Sequence, residues 1–309
     1  MTIVKMHVIE RIQESLETTT RRTRFLVRTL RQLAGPTDPS CPYCGALSSH
    51  TEGRKFLVLR MQKCLKCGLL FRFPTDSEEF NKRFYQTSYR QKGLTTDLPS
   101  DDELKRLIAT NFADTVKDFN PKINVLKSKL PTGRVLDYGC SWGYTIYQLR
   151  LAGYESYGFE LSEPRAQFGQ ERMGLKIWHQ FKDLENLADG YFDAILTSHV
   201  LEHLPSLRGV FERFHRLLKP GGILGIWVPN GGGEKAQRLG VHWGPMISEK
   251  HTLVLTPDFL SRALPEQGFT LLAVTDSDHP PRWEQSESNI QAAPPGDELL
   301  VLASRNIHS

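Results

Sequence analysis

Short apolar runs alternate with amphipathic segments through the second half of the chain, and no other feature restricts the fold as strongly. The runs have the length of strands and lie at residues 135–138, 156–160, 175–178, 194–198 and 223–228. Such alternation is typical of a doubly wound, mainly parallel sheet with helices on both faces. Two later β-prone runs, residues 269–275 and 298–304, predict an antiparallel hairpin that closes the sheet. We therefore predict an α/β fold with seven strands.

A helix is predicted in front of the sheet, from Ser100 to Phe119. Ser100 and Glu103 have the spacing of a capping box, and the apolar residues that follow recur at helical intervals.

Residues 1–34 are predicted to form an amphipathic helix that a Gly- and Pro-containing linker ends by residue 40. Seven of the 39 Lys and Arg residues but only four acidic residues fall in residues 1–40, so most of the net charge of +4 lies there. We favour packing of this helix on the chain's own domain or on a second copy in a homodimer. Weak contact with an anionic membrane surface or with RNA is the alternative.

No apolar run in the sequence approaches the length of a transmembrane helix, and none is predicted. Acidic residues such as Glu10 and Glu14 interrupt the N-terminal segment, which therefore does not match a secretory signal, and we expect a cytoplasmic protein. The rest of the chain is close to neutral, which weighs against nucleic acid as a partner.

Two cysteine pairs predict a metal site. Cys41 and Cys44 are separated by two residues, as are Cys64 and Cys67, and nineteen residues lie between the pairs. This is the spacing of a tetrahedral zinc ribbon with four thiolate ligands. Such a site has no open coordination position, so we expect the zinc to be structural.

A strand that runs into a glycine turn and then a helix predicts a cofactor site. The sequence from residue 135 to 143 reads VLDYGCSWG, and it ends where a helix is predicted to begin. Glycines let the backbone approach a ligand closely, and a helix N-terminus offers free N–H donors. By itself this segment fits both a dinucleotide and S-adenosylmethionine (SAM).

Three features together resemble the Rossmann-like class I SAM-dependent methyltransferases, in particular those acting on small molecules and glycans. They are Asp137 before the glycine turn, Glu160 at the end of the next strand, and the motif from residue 192 to 204 followed by the turn at 218–222. The resemblance covers about residues 130 to 275. It implies that the turn holds the methionine part of SAM and that Glu160 accepts hydrogen bonds from the ribose hydroxyls. The cofactor residues that it implies are Asp137, Gly139, Ser141, Gly143, Glu160, Asp183, Ser198 and His199.

This sequence departs from the family pattern at two positions. Ser141 stands where the family has a glycine, and Asp183 is displaced from the usual position of the acid near adenine. Phe181 is a further candidate for the adenine contact.

Three histidines are predicted on the acceptor side, where a general base would assist methyl transfer. His199 follows the fourth strand, His203 lies one helical turn later, and His251 precedes the helix predicted from Thr256. Structural roles compete with catalysis for each of them.

These features predict a SAM-dependent methyltransferase that acts on the oxygen, nitrogen or carbon of a small molecule or sugar. Methylation of RNA or protein with the zinc ribbon as docking module is one alternative, and a non-catalytic scaffold that retains the SAM fold is another. The predicted domains are an N-terminal helix and linker (1–40), the zinc ribbon (41–75) and the methyltransferase domain (76–309).

Overall fold

The computed structural model describes residue 20 and residues 23–84, 86, 97–281 and 289–307. Within these residues the strands are β1 (Ser49–Lys55), β2 (Leu59–Cys64), β3 (Leu70–Phe73), β4 (Arg134–Tyr138), β5 (Glu155–Phe159), β6 (Ile177–Trp178), β7 (Phe192–Ser198), β8 (Leu218–Pro229), β9 (Leu253–Val254), β10 (Phe269–Asp276) and β11 (Glu298–Arg305). The helices are α1 (23–34), α2 (Glu78–Arg83), α3 (Asp101–Ala109), α4 (Asn120–Lys127), α5 (Tyr144–Leu151), α6 (Glu163–Met173), α7 (Phe181–Glu185), α8 (Arg208–Leu217), α9 (Glu234–Leu239) and α10 (Pro257–Glu266). Two 3₁₀ helices span Leu201–His203 and Gly240–His242.

Seven strands form the main sheet, in the order β10-β11-β8-β7-β4-β5-β6. The pairs from β8 to β6 are parallel, whereas β11 runs antiparallel to both β8 and β10. The predicted α/β class and the closing hairpin are therefore confirmed, and the arrangement is Rossmann-like. Chain order reverses between β4 and β7, the point at which open parallel sheets bind ligands beyond their strand ends.

The predicted helix from Ser100 to Phe119 is correct at its start and wrong at its end. The Ser100 hydroxyl accepts the N–H of Glu103 over 3.3 Å, but α3 stops at Ala109. Asn111 and Phe112 then take positive φ angles of 47° and 62°, which no α-helix permits. Phe112 is fully buried, and its ring centroid lies 6.0 Å from that of Trp142. Burial of this aromatic ring offsets the backbone strain, and helical spacing could not reveal it.

The cysteine-containing segment shares a sheet with the chain's C-terminal half. The order of its sheet is β1-β2-β3-β9, and β9 pairs antiparallel with β3. The side chain of Tyr43 is buried with its ring centroid 5.2 Å from that of Phe259 on α10. The boundaries at residues 40 and 75 stay a prediction, but the hydrophobic core is continuous across the second of them.

The described part of the N-terminal helix packs on the chain's own fold. Phe25 is buried in contact with the group that contains Leu59 and Met61 of β2, and the guanidinium of Arg28 lies 3.4 Å from Asp76. Residues 1–19, 21 and 22 lie outside the described residues, so the first half of the predicted helix is not included. Among the residues that are described, no helix combines the length and the apolar character needed to span a membrane.

Candidate functional site

A cleft that is open to solvent lies at the C-terminal ends of β4, β5 and β7. Residues that follow these three strands line it, namely Gly139, Ser141, Glu160, His199 and Val200. Each follows its strand directly or within three residues, so the parallel sheet brings together side chains that are far apart in sequence. The cleft lies where the strand order predicts a ligand site.

The turn after β4 has a left-handed backbone at Gly139, at Ser141 and at Gly143, the residue before α5. Their φ angles are 86°, 52° and 90°. A Cβ atom on Gly139 would lie 2.2 Å from Cγ2 of Val200, so this glycine is required by packing as well as by conformation. Ser141 takes the left-handed conformation although it has a side chain.

Both carboxylate oxygens of Glu160 are held by backbone donors. The N–H of Ser141 donates to Oε2 over 3.0 Å, and the N–H of Ser162 donates to Oε1 over 2.7 Å. Burial raises the pKa of Glu160, and these two donors oppose the rise. Each oxygen retains a lone pair that can accept a further hydrogen bond from a ligand in the cleft.

Asp137 is buried at the end of β4. Burial raises the pKa of its carboxyl to about 7, while the side chain of Thr145 on α5 donates a hydrogen bond that opposes the rise. A carboxylate with this pKa changes charge near neutral pH, so a nearby cation would strongly favour its ionised form.

Two predicted cofactor residues make other contacts. The carboxylate of Asp183 accepts the backbone N–H of Gln180 over 3.2 Å and so caps α7, and Asp183 is not among the residues that line the cleft. Ser198 Oγ accepts a hydrogen bond from Nζ of Lys122 over 2.9 Å. Phe181 lines a second cleft that shares Tyr138 with the first. The roles of Asp183 and Ser198 in cofactor binding stay predictions.

His199 is held between two carboxylates. Its Nε2 lies 2.7 Å from Oε1 of Glu298, and its Nδ1 lies 3.4 Å from Oε1 of Glu202. Burial lowers the pKa of His199, but these two carboxylates outweigh burial and raise it to about 9. Such an imidazole is protonated at neutral pH, which argues against His199 as a general base and favours a role as a fixed cation.

His203 and His251 have the opposite electrostatic character. Burial lowers the pKa of His203 to about 4 and also lowers that of His251. Their ring centroids are 4.6 Å apart, and each Nδ1 lies within hydrogen-bonding distance of a backbone carbonyl, at 3.3 Å from Lys250 O and 3.0 Å from Pro245 O. Both imidazoles are therefore neutral at neutral pH.

Sequence reasoning missed three charged residues beside these histidines, Glu202, Glu298 and Lys122. Glu202 adjoins His203 in the motif at residues 192–204. Its position just beyond a predicted strand could have identified it as a candidate site residue. Lys122 Nζ lies 2.7 Å from Oε1 of Glu298. Burial raises the pKa of Glu298, but His199 and Lys122 outweigh it and lower the pKa to about 2. Lys122 and Glu298 are 176 positions apart in the sequence, so no local pattern could have paired them.

The four predicted metal ligands come together at one point. Their sulfur atoms all lie within 4.8 Å of one another, with Sγ–Sγ distances of 3.5 Å for Cys41–Cys67 and for Cys44–Cys64. Four sulfurs at about 2.3 Å from a zinc ion would be about 3.8 Å apart, so the donor set fits the metal. None of the four forms a disulfide. Gly45 and Gly68, which follow the second cysteine of each pair, take positive φ angles of 70° and 81°.

The family model and the relatives that match this chain are methyltransferases. The family model described as a methyltransferase domain matches residues 101–274, more than half of the chain. The sterol 24-C-methyltransferase ERG6B of Gibberella zeae is 28% identical over 197 residues, which cover 57% of this chain and 51% of that protein. A ubiquinone biosynthesis O-methyltransferase of Dinoroseobacter shibae is 27% identical over 178 residues, covering 54% of this chain and 68% of its own length.

A solved structure with a similar chain is a SAM-dependent methyltransferase of Thermotoga maritima, described as a possible histamine N-methyltransferase. It is 18% identical with a TM-score of 0.47, and the match covers 74% of this chain and 100% of that one. The matched part of this chain spans about half the length of several of the curated relatives.

Proposed function

Because the chain belongs to the methyltransferase domain family, we propose that it transfers a methyl group from SAM to a small-molecule or sugar acceptor, on oxygen, nitrogen or carbon. The observation that supports this proposal is the position of Glu160 and the hydrogen bonds of its carboxylate. Two backbone N–H groups fix its carboxylate at the end of β5, beside the glycine turn, with lone pairs available to a ligand. A pair of vicinal ribose hydroxyls is a suitable partner for such a carboxylate.

The residues around the cleft fit SAM in charge as well as in hydrogen bonding. Glu160 would accept the ribose hydroxyls, and the turn from Gly139 to Gly143 would pass beside the methionine part. The Oγ atom of Ser141 is buried and has no hydrogen-bond partner among the described residues, so a ligand could supply one. Asp137 would face the positively charged amino end. When bound, SAM supplies an electrophilic methyl group on a sulfonium.

The chain's own contribution to the reaction is mainly positional. Holding two reactants in alignment can supply about 7 to 11 kcal/mol of the barrier. On the acceptor side, His199 would act as a fixed cation, and the neutral His203 and His251 would be the groups able to accept a proton from an acceptor hydroxyl.

We also propose that the four cysteines bind a structural zinc ion. All four ligand positions would be filled by protein thiolates, so the ion would take no part in methyl transfer.

Isothermal titration of the zinc-replete protein with SAM and, separately, with NAD tests the cofactor assignment. We expect micromolar SAM binding and no NAD binding, whereas binding of NAD alone would overturn the proposal. The acceptor class is then tested by release of S-adenosylhomocysteine with a panel of phenols, amines and nucleotide-linked sugars. SAM binding without turnover on any class would favour the scaffold alternative.

A further inference from the structure

A second group of potential metal ligands lies beside the cleft, far from the cysteines in sequence. It consists of Glu202 and His203 in the 3₁₀ helix after β7, together with His251 just before β9. One ligand atom from each of the three lies within 4.8 Å of the others. Two imidazole nitrogens and one carboxylate oxygen form a common ligand set for first-row divalent metals in catalytic sites.

The environment of Glu202 is the strongest indication of a cation site. Its side chain is only 3% exposed, and neither carboxylate oxygen has a hydrogen-bond partner among the described residues. The protonated His199 lies beside it, with Nδ1 3.4 Å from Oε1 of Glu202 and Nε2 2.7 Å from Oε1 of Glu298. The ion pair with His199 compensates this buried carboxylate only in part, because it makes no hydrogen bond to either oxygen, and a bound cation would compensate it further.

The hydrogen bonds of the two histidines indicate which nitrogen of each ring can bind a metal. A carbonyl can only accept, so Nδ1 of His203 carries the proton shared with Lys250 O, and Nδ1 of His251 carries the one shared with Pro245 O. The lone pair of each ring is therefore on Nε2. Metal-binding histidines in proteins are usually oriented in this way, by donation of the other ring N–H to a carbonyl or carboxylate.

The backbone already fixes the two segments against each other. The N–H of Thr252 donates to the carbonyl of Glu202 over 3.0 Å, and its hydroxyl donates to the carbonyl of Leu204 over 2.8 Å. Donor atoms at about 2.1 Å from a metal lie about 3.0 to 3.4 Å apart, so the ligand atoms need to approach one another by at most about 1.8 Å.

We propose that Glu202, His203 and His251 bind a divalent first-row transition metal such as zinc or cobalt, separate from the four-cysteine site. Three protein ligands leave at least one coordination position open, and His203 lines the cleft, so this position is accessible from it. The ligand that fits an open position on such a cation is an anionic oxygen, such as a deprotonated hydroxyl or an enolate of the acceptor. This last step rests on the proposed methyltransferase function, whereas the metal site does not. With the cation bound, His203 and His251 are ligands rather than proton acceptors. The cation would then lower the pKa of the acceptor hydroxyl, which would release its proton to water.

Titration with Co²⁺ of protein that holds one zinc ion per chain, bound by the four cysteines, tests the site without SAM or acceptor. We expect one equivalent of Co²⁺ to bind, with the weak visible bands of a nitrogen- and oxygen-ligated ion and without a thiolate charge-transfer band. Glu202→Gln and His251→Gln should each raise the Kd for Co²⁺ at least about tenfold. His242→Gln is the matched control, because His242 is exposed in the other 3₁₀ helix and should leave the Kd unchanged.

Absence of Co²⁺ binding to the wild type that holds one zinc ion per chain would overturn the site, as would a spectrum of thiolate ligation only or a Kd unaffected by both substitutions. The wild-type titration decides even if a variant misfolds, and retained zinc content shows whether a variant has kept its fold. Failure of methyl transfer would not affect any of these readouts, so the two proposals can fail separately.

Discussion

The backbone N–H of Ser141 donates a hydrogen bond to Oε2 of Glu160 over 3.0 Å. This bond joins the turn after β4 to the residue after β5, and it means that the main chain, not another side chain, orients the carboxylate. The donor belongs to a residue in the left-handed conformation, so the course of the glycine turn and the position of the acid are coupled.

Glu160→Gln should weaken SAM binding about 10- to 100-fold, because hydrogen bonds to a charged acceptor contribute about 1.5 to 3 kcal/mol. The amide would also place a donor opposite the N–H of Ser141 or Ser162. Isothermal titration measures the Kd. Glu155→Gln is the matched control, since Glu155 lies at the other end of β5, about half exposed, and its loss should leave the Kd unchanged. Equal Kd values for wild type and Glu160→Gln would refute the role of Glu160.

SAM affinity should rise about tenfold between pH 6 and pH 8, because Asp137, with a pKa of about 7, becomes ionised over that interval and attracts a cationic ligand. The effect on folding has the opposite sign. The raised pKa means that the folded state without ligand binds a proton more tightly than the unfolded chain, so this stabilisation is lost as pH rises towards 7. Titrations at three pH values measure the slope. Asp137→Asn should remove it, and a slope that persists in this variant would show that another group is responsible.

Cys64→Ser should remove one equivalent of zinc and lower the unfolding temperature of the whole chain. Structural zinc contributes about 10 kcal/mol or more of apparent binding energy in small modules. The loss of stability should extend to the main domain, because Tyr43 packs on both Phe211 and Phe259. Metal analysis and calorimetry measure the two effects. Cys140→Ser serves as the control, since Cys140 is buried away from the cluster and should leave the zinc content intact.

Gly139→Ala should destabilise the fold by about 2 to 5 kcal/mol, which combines the strain of a left-handed alanine with a steric clash. The added Cβ would lie 2.2 Å from Val200 Cγ2. Gly153→Ala separates the two contributions, because Gly153 has a φ of 94° but no heavy atom within 4 Å of the Cβ position. That variant should lose only about 1 to 3 kcal/mol. Urea unfolding gives both values, and equal losses would show that Val200 relieves the clash without cost.

Local sequence determined the features whose physical causes are local. Apolar runs of strand length marked six of the seven strands of the main sheet within two residues, because burial on both faces of a parallel sheet requires continuous apolar sequence. The exception is β8, which begins at Leu218, in the segment predicted as a turn. The capping residues of α3 marked its start, and the spacing of the four cysteines predicted the cluster that the fold assembles. The glycine turn was predicted for the same reason, since a positive φ restricts the choice of residue.

Only the tertiary structure decided which distant residues meet. The pairing of β9 with β3, the end of α3 at Ala109 and the contact of Glu298 with His199 depend on contacts between segments far apart in sequence or on burial in a shared core. The protonation states of the histidines belong to this group. His199, His203 and His251 are the same residue type, yet two carboxylates raise the pKa of the first, and burial lowers that of the other two. Residue identity sets only the intrinsic pKa, whereas the neighbours and the burial that shift it exist only in the folded chain.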